Sequence, residues 1–437
     1  MTHASPALAT ALHDDGYGSA VYRWYVLGVL TLIYACHALD RGVPNIVLEL
    51  VKQDFALSDG QVGLFTGTLF GIAFALAGVP LGFVSDRVNR RNMLGIILVA
   101  WSAFTSLGGF AASFPLLLAS RFAVGAAEAG AAPIAMPMLS DIFPPERRAT
   151  VIGLFYMSNP IAGIATAAAA VVAAKFGWQA AVLLAGAPGL VLALLLFATV
   201  REPARGASEG AATQERASAG EVLRFLAGRP GLLLLMLGCA LSGFVAISTG
   251  AWAVSFYTRV HGLALAEIAP LFAGVGFLGL ASYPLVGFLG DRAARRHERG
   301  PLLLVATICA GGAALGILAL HVPSAWVAIP LWVAFGFFTH AYTPPAYAAL
   351  MAKTPPHLRG VTMSTLQLTT NLFGFGIGPA WVGAMSDVLG GGAAIRSALS
   401  VAVAVLFVAG ACLFGAARLL YPSSGRVAVR SVTSEAP

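Results

Sequence analysis

The feature that most constrains this chain is the recurrence of apolar blocks about twenty residues long, the length a helix needs to cross the hydrocarbon core of a bilayer. Twelve such blocks are read, at 24–50, 60–84, 92–112, 115–141, 149–174, 178–199, 231–257, 265–289, 301–320, 324–351, 360–385 and 394–419. Of the 437 residues 58% are apolar and only 10% charged, against the roughly 25% charge of a water-facing domain. A soluble surface cannot be built from this composition. Membrane helices also accommodate the 50 glycines and 24 prolines. The expectation is an all-α membrane protein with twelve transmembrane helices.

The first twenty residues are polar, carry Asp14 and Asp15, and lack the pattern of a cleavable leader. Residues 200–229 are polar and rich in Gly, Ala and Ser, as a flexible linker would be; Glu221 to Leu226 is expected as a short interfacial helix. The expected division is a tail 1–23, a six-helix unit 24–199, a linker 200–230, a second six-helix unit 231–419 and a tail 420–437. Cys36, Cys239, Cys309 and Cys412 each sit alone in an apolar block, without disulfide or metal spacing.

The net charge of +7 is distributed by topology. With the N-terminus cytoplasmic, twenty Lys and Arg fall inside and four (Lys52, Lys175, Arg259, Arg396) outside. By the positive-inside rule both termini are expected in the cytoplasm. The basic balance then implies no nucleic-acid partner.

The two halves repeat. GFVSDRVNRR (82–91) after the second span returns as GFLGDRAARR (287–296) after the eighth. IFPPERRATVIG (142–153) after the fourth span returns as KTPPHLRGVTMS (353–364) after the tenth. Both loops fall on one side, as in parallel repeats related by an axis along the membrane normal. Two pseudo-symmetric six-helix bundles around a central cavity follow. In the first pair of loops Gly82, Asp86, Arg87, Arg90, Asp291 and Arg292 are candidates for a cytoplasmic latch that bridges helix ends, with Asp141 as a further member; retention of arginines by charge alone is the simpler alternative.

Ionisable groups inside spans are costly and mark functional sites. The first span contains HALDRGVPN, with His37, Asp40 and Arg41 beside Gly42 and Pro44, a composition that predicts a broken or bent helix. The fourth contains RFAVGAAEAG, whose Arg121 and Glu128 are two helical turns apart and share a face. At roughly 1.5 Å per residue, Asp40 lies about 24 Å from the inner end of its span and Glu128 about 20 Å from the outer end of its own, so the carboxylates reach similar depths. Asp40 or Glu128 is expected to carry a coupling proton, with Arg41 or Arg121 as partner and anion anchor; a permanent ion pair between the helices is the bland alternative. Tyr34, His37, Asn159, His340 and Asn371 are candidate cavity-lining groups, though each would equally serve a neighbouring helix. GVGFLG (274–279) and the glycines of GLFTGTLFG (63–71) read as helix-packing faces. Without a Walker loop, HExxH or GxSxG, no ATP drive, metal, cofactor or enzyme activity is expected.

The doubled loop resembles the signature of the major facilitator superfamily, with Asn89 and Ala294 where that family often has Gly. Beyond it, ALDRGVPNIVLELVKQDFALSDGQVGLFTG (38–67), SRFAVGAAEAGAAP (120–133), SDIFPPERRATVIGLFY (140–156), TVREPARG (199–206), RVHGLALAEI (259–268) and TTNLFGFGIGPAWVGAMSDVLG (369–390) resemble the spinster branch. The resemblance implies the twelve-helix major facilitator fold, alternating access, and lysolipid or sphingoid-type substrates with proton-linked transport; the Ala/Gly/Arg-rich composition and compact loops lead us to expect a bacterial inner membrane. Arg41 and Arg121 would anchor a headgroup, and Phe65, Phe70, Phe155, Trp252, Phe256 and Phe373 would line an apolar path. The rival readings are a carrier of small organic anions or amphipathic drugs and a non-transporting receptor-like scaffold. A monomer with protons, membrane lipids and a small substrate as its partners is expected.

Overall fold

The computed structural model describes residues 18–85, 87–143, 147–204 and 219–421. Asp86, most of the linker (205–218) and the outer parts of both tails lie outside the described residues, as does the side chain of His340. Twelve passages are present: α1 (Ala20–Asp54), α2 (59–85), α3 (Arg90–Gly108), α4 (114–142), α5 (148–176), α6 (Trp178–Thr199), α7 (Pro230–His261), α8 (Leu265–Arg296), α9 (Gly300–His321), α10 (325–353), α11 (359–388) and α12 (Ile395–Leu420). Among the described residues there is no strand, and eight of the helices are individually long and apolar enough to cross a membrane. The other four, α3, α4, α8 and α11, are spans by their place in the bundle.

Local chemistry sets the ends. Ser19 caps α1 through the amide of Tyr22, and Ser58 and Gln61 form a reciprocal capping box at the start of α2. The Asn89 side chain accepts from the amide of Asn92, 2.8 Å away, and starts α3. Asn89, which departs from the family pattern, therefore serves as a helix cap. Gly262, at φ +69°, ends α7 in the left-handed conformation.

The first six helices and the last six each enclose an apolar core, the second built around α7, α9 and α12. The halves meet where α2 packs on α11, α5 on α8 and α1 on α7. The linker helix Ala219–Ala227, which includes the Glu221 to Leu226 stretch expected to be helical, buries Val222 and Leu226 against the second core.

Of the broken or bent helix expected in α1, the break does not occur: the helix runs through Gly42 and Pro44 without interruption. Val43, Ile46, Val47 and Leu48 are buried around the proline, and packing by α5, α6 and α7 holds a helical path that local propensity alone would interrupt. Breaks occur elsewhere, at residues 129–130 in α4, 156–157 in α5 and 341–342 in α10. Each precedes prolines that free a carbonyl one turn back. In α5 Pro160 frees the carbonyl of Tyr156, which takes up the side-chain amide of Asn159 at 3.3 Å. Short π-helical stretches interrupt α2 at Leu64–Thr68 and α11 at Leu372–Ile377.

Candidate functional site

Four charged residues of α1 and α4 meet at mid-depth in the first half, and they pair crosswise. Arg41 donates from Nε to Glu128 Oε2 at 3.2 Å, while Arg121 Nη1 lies 3.8 Å from Asp40 Oδ1. Each ion pair therefore joins α1 to α4. Glu128 is wholly buried and Asp40 and Arg121 nearly so, whereas the Arg41 side chain keeps 23% of its exposure. His37, one turn before Arg41, places Nε2 at 3.3 Å from Glu128 Oε2 and 3.1 Å from Arg41 Nη2. The Thr105 hydroxyl of α3 sits 2.8 Å from both Asp40 oxygens. Among the described residues Glu128 Oε1 and Arg121 Nε have no hydrogen-bonding donor or acceptor to match them, and the Glu128 carboxylate faces that of Asp40.

Aromatic rings frame this cluster. The Arg41 guanidinium lies 5.0 Å from the ring centres of Phe70 and Phe74 on α2 and 5.2 Å from Phe375 on α11. Phe375 belongs to the second half, so Arg41 touches both bundles through its cation–π contacts. Tyr34 stacks on His37 at 4.9 Å and packs against Phe155. Tyr34, His37, Asp40, Arg41, Arg121 and Glu128 thus come together as one site.

The other sequence candidates are placed differently. Asn159 is committed to the break in α5, and Asn371 is a half-buried residue immediately before the π-helical stretch of α11. His340 is the last residue of the first segment of α10, the position that Glu128 holds in α4. Phe65, Phe70, Phe155, Trp252 and Phe256 are almost completely buried, and Phe65 lies on the wall of a small cavity beside Asp40. Phe373 is half-buried.

At the end where the described chain begins and stops (Gly18 and Tyr421), Arg90 is the buried arginine of its cluster. It donates to Asp141 at 2.7 Å, to Glu202 at 2.9 Å and to the carbonyl of Pro203 at 3.0 Å. Arg91 closes the same corner on the carbonyls of Val200 and Phe197. Asp141 thereby joins the network expected of it, and Glu202, which sequence reasoning overlooked, supplies the second carboxylate. Arg87, Asp291 and Arg292 are exposed, and an added Cβ at Gly82 meets nothing within 4 Å. Among the described residues this network ties α3 to the end of α4 and the start of the linker.

At the opposite end a second cluster, not anticipated from sequence, clamps the two halves. Arg259 of α7 binds Asp59 of α2 with both terminal nitrogens, at 2.8 and 2.9 Å, and Glu49 of α1 at 2.7 Å. Asp59 also pairs with Lys52 and accepts from Ser386 of α11 at 2.7 Å. In return Asp387 accepts from the amides of Asp59 and Gly60 at 2.9 and 2.7 Å, a carboxylate set at the first turn of a helix. Below the clamp the glycines of α2 lie against α11: a Cβ on Gly63 would come within 2.6 Å of Ala380 and Pro379, and one on Gly67 within 2.6 Å of the Phe375 carbonyl. The glycine face expected for packing is therefore the seal between the bundles.

The comparisons agree with this architecture. The family model described as Major Facilitator Superfamily matches residues 30–379. An MFS-type efflux pump of Mycolicibacterium smegmatis is 28% identical over 419 residues, 94% of this chain and 95% of that protein. Protein spinster homolog 1 of Homo sapiens is 31% identical over 256 residues, 57% of this chain and 48% of that protein. Among solved structures, a bacterial homolog of the human lysosomal transporter spinster, in an inward-facing and unoccupied conformation, superposes with a TM-score of 0.79 at 30% identity, covering 92% of this chain and 98% of the other.

Proposed function

We propose that this chain, which belongs to the major facilitator superfamily and to its spinster-like branch, is a proton-coupled secondary transporter of lysophospholipid or sphingoid-type amphiphiles. That it is an integral membrane protein of a transporter family follows from the membership and the fold; the substrate, the proton and the orientation are our reading. The observation that carries it is the setting of Arg41. One guanidinium, partly exposed, is shared by Glu128 and His37 and is surrounded by three phenyl rings drawn from both bundles.

A proton arriving on Glu128 cancels the charge that holds Arg41 on α4. The freed guanidinium then offers its fork of donors to a phosphate, a group it matches in geometry as well as charge. Departure of Arg41 from Phe375 would also loosen a contact between the bundles. Proton binding, headgroup binding and movement of the halves are thus linked through one side chain. With the far side sealed, access runs from the terminus side, which we take to be the cytoplasm of a bacterial inner membrane.

The competing reading, a carrier of small organic anions or amphipathic drugs, draws on the likeness to an efflux pump. Thermal stabilisation of the purified protein by lysophospholipids, sphingoid phosphates and small organic anions, below and above neutral pH, separates the two. Selective stabilisation by the lysolipids whose pH dependence, but not the stabilisation itself, is lost in Glu128→Gln supports our reading. Stabilisation by small anions alone would overturn the lipid assignment.

A further inference from the structure

Beside the Asp40–Arg121 pair lies a small, partly open cavity. It is lined by Asp40, Thr105, Ser120 and Arg121 together with apolar side chains that include Leu117 and Val182. Its volume, about 10 Å³, is near the roughly 10–15 Å³ that one water requires. Two of its lining groups are nearly fully buried charges, Asp40 and Arg121, and among the described residues Arg121 Nε has no hydrogen-bond partner. The walls are mostly apolar, with Asp40, Thr105, Ser120 and Arg121 as their polar members, and buried polar groups short of a partner are where proteins hold ordered water.

The position of the cavity gives the water a direction. Val43 and Pro44 on its wall follow Asp40 toward the far end of α1, Ser120 and Leu117 lie in the first turns of α4, and Val182 in the first turns of α6. Ser120 is half-buried, and its hydroxyl is 2.8 Å from the carbonyl of Leu117. The cavity therefore reaches from Asp40 toward the far face through the interior of the first bundle, not through the gap between the bundles.

We propose that this cavity is an internal hydration site, holding one water between Arg121 and Asp40, and that it delivers protons to Asp40 from the far side. The inference rests on the proton-coupled reading above. In the transfer, a proton entering beside Ser120 binds the water, and the water gives one of its protons to an Asp40 carboxylate oxygen. One O–H bond forms as another breaks, and neutral water remains. The charged and titratable groups facing Asp40 are Arg121 and Glu128 of α4 and Cys36 on its own helix, with Thr105 of α3 as the hydroxyl neighbour. Glu128 stands next in line to receive the proton. The route supplies the coupling site while the seal between α2 and α11 stays closed.

Two measurements on the full-length protein test this. Radiolytic hydroxyl-radical labelling marks side chains beside bound water and needs no substrate; Leu117 should be labelled in the wild type and protected in Val182→Leu, whose added methylene fills the void. In oriented proteoliposomes the same variant should slow proton-gradient-driven uptake of a lysophospholipid several-fold, leaving gradient-free exchange intact. Absence of labelling at Leu117, or labelling unchanged in Val182→Leu, overturns the hydration site. Labelling lost while proton-driven uptake stays at the wild-type rate overturns the relay. Wild-type uptake that ignores the proton gradient defeats the coupled-transport reading instead, and the labelling still decides the site.

Discussion

Arg259 and Asp59 lie 200 positions apart and on opposite halves, yet guanidinium and carboxylate meet in a two-point contact at 2.8 and 2.9 Å. Asp59 is fully buried and Arg259 largely so. Because removing one member of a buried pair leaves the other uncompensated, Arg259→Ala should cost the sealed state about 3 kcal/mol, on the order of a hundredfold in the equilibrium between open and closed far ends. Thiol labelling of a cysteine placed at Ser386 in the variant and control backgrounds would read the change. Labelling no faster in Arg259→Ala would mean that the clamp does not set the equilibrium.

Gly383 offers a purely steric version of the same test. A Cβ there would sit 2.2 Å from the carbonyl oxygen of Asp59, a distance no rotamer change relieves, since the opposing atom is backbone. Gly383→Ala should therefore keep the helices but force the halves apart at this end. Spin-label distances between the far ends of α2 and α11 are expected to lengthen by several ångströms relative to wild type, with thermal stability little changed; an unchanged distance distribution would argue that α11 yields locally.

Arg87 sits exposed in the turn before α3 and Arg90 buried at its first residue, and the two should differ sharply in consequence. Arg90→Ala strips two carboxylates, Asp141 and Glu202, of their shared cation and is expected to lower stability by about 2–3 kcal/mol. Arg87→Ala, at an exposed position, should fall within about 0.5 kcal/mol of wild type. Denaturation of the two variants in detergent compares them directly.

The crossed pairs of the central site predict strong coupling between Arg41 and Glu128. Glu128→Gln alone leaves Arg41 short of its counter-ion, and Arg41→Gln alone leaves a fully buried carboxylate. The double variant should recover part of the loss, with an interaction energy of about 1–3 kcal/mol in a double-mutant cycle. Additive effects would show that the two side chains act separately.

What the sequence revealed and what it withheld follow physical lines. The spans, the repeat and the ionisable cluster were legible because membrane insertion makes length, charge side and buried charge costly to violate. The shared face of Arg121 and Glu128 followed from helical spacing. Their partners did not, since a seven-residue spacing places two groups on one face without saying which of Asp40 and Arg41 stands opposite each. Pro44 misled because packing along α1 outweighed its local preference. Arg90 could not be told from Arg87 within a cluster of arginines until Asn89 was seen to start α3 and fix its phase. The far-side clamp was hidden for another reason: Asp59 and Asp387 sit at helix ends, where carboxylates look like ordinary caps, and their engagement across the two halves depends on tertiary assembly alone.

The breaks in α4 and α10 fall at matching places, after Glu128 and after His340, so both halves inherited the same joint. The load on it is not shared equally. Within the interiors of its spans the second half carries no Asp, Glu, Lys or Arg, whereas the first half concentrates four such residues in two helices. A molecule lodged between the bundles would meet a chemically lopsided chamber, ionic on one wall and aromatic or aliphatic on the other. On the function proposed above, such a chamber would select by orientation as well as by composition: an amphiphile would lie across the midline with its head toward one bundle and its tail toward the other, and would have to keep that pose if the chamber tipped from one face of the membrane to the opposite one.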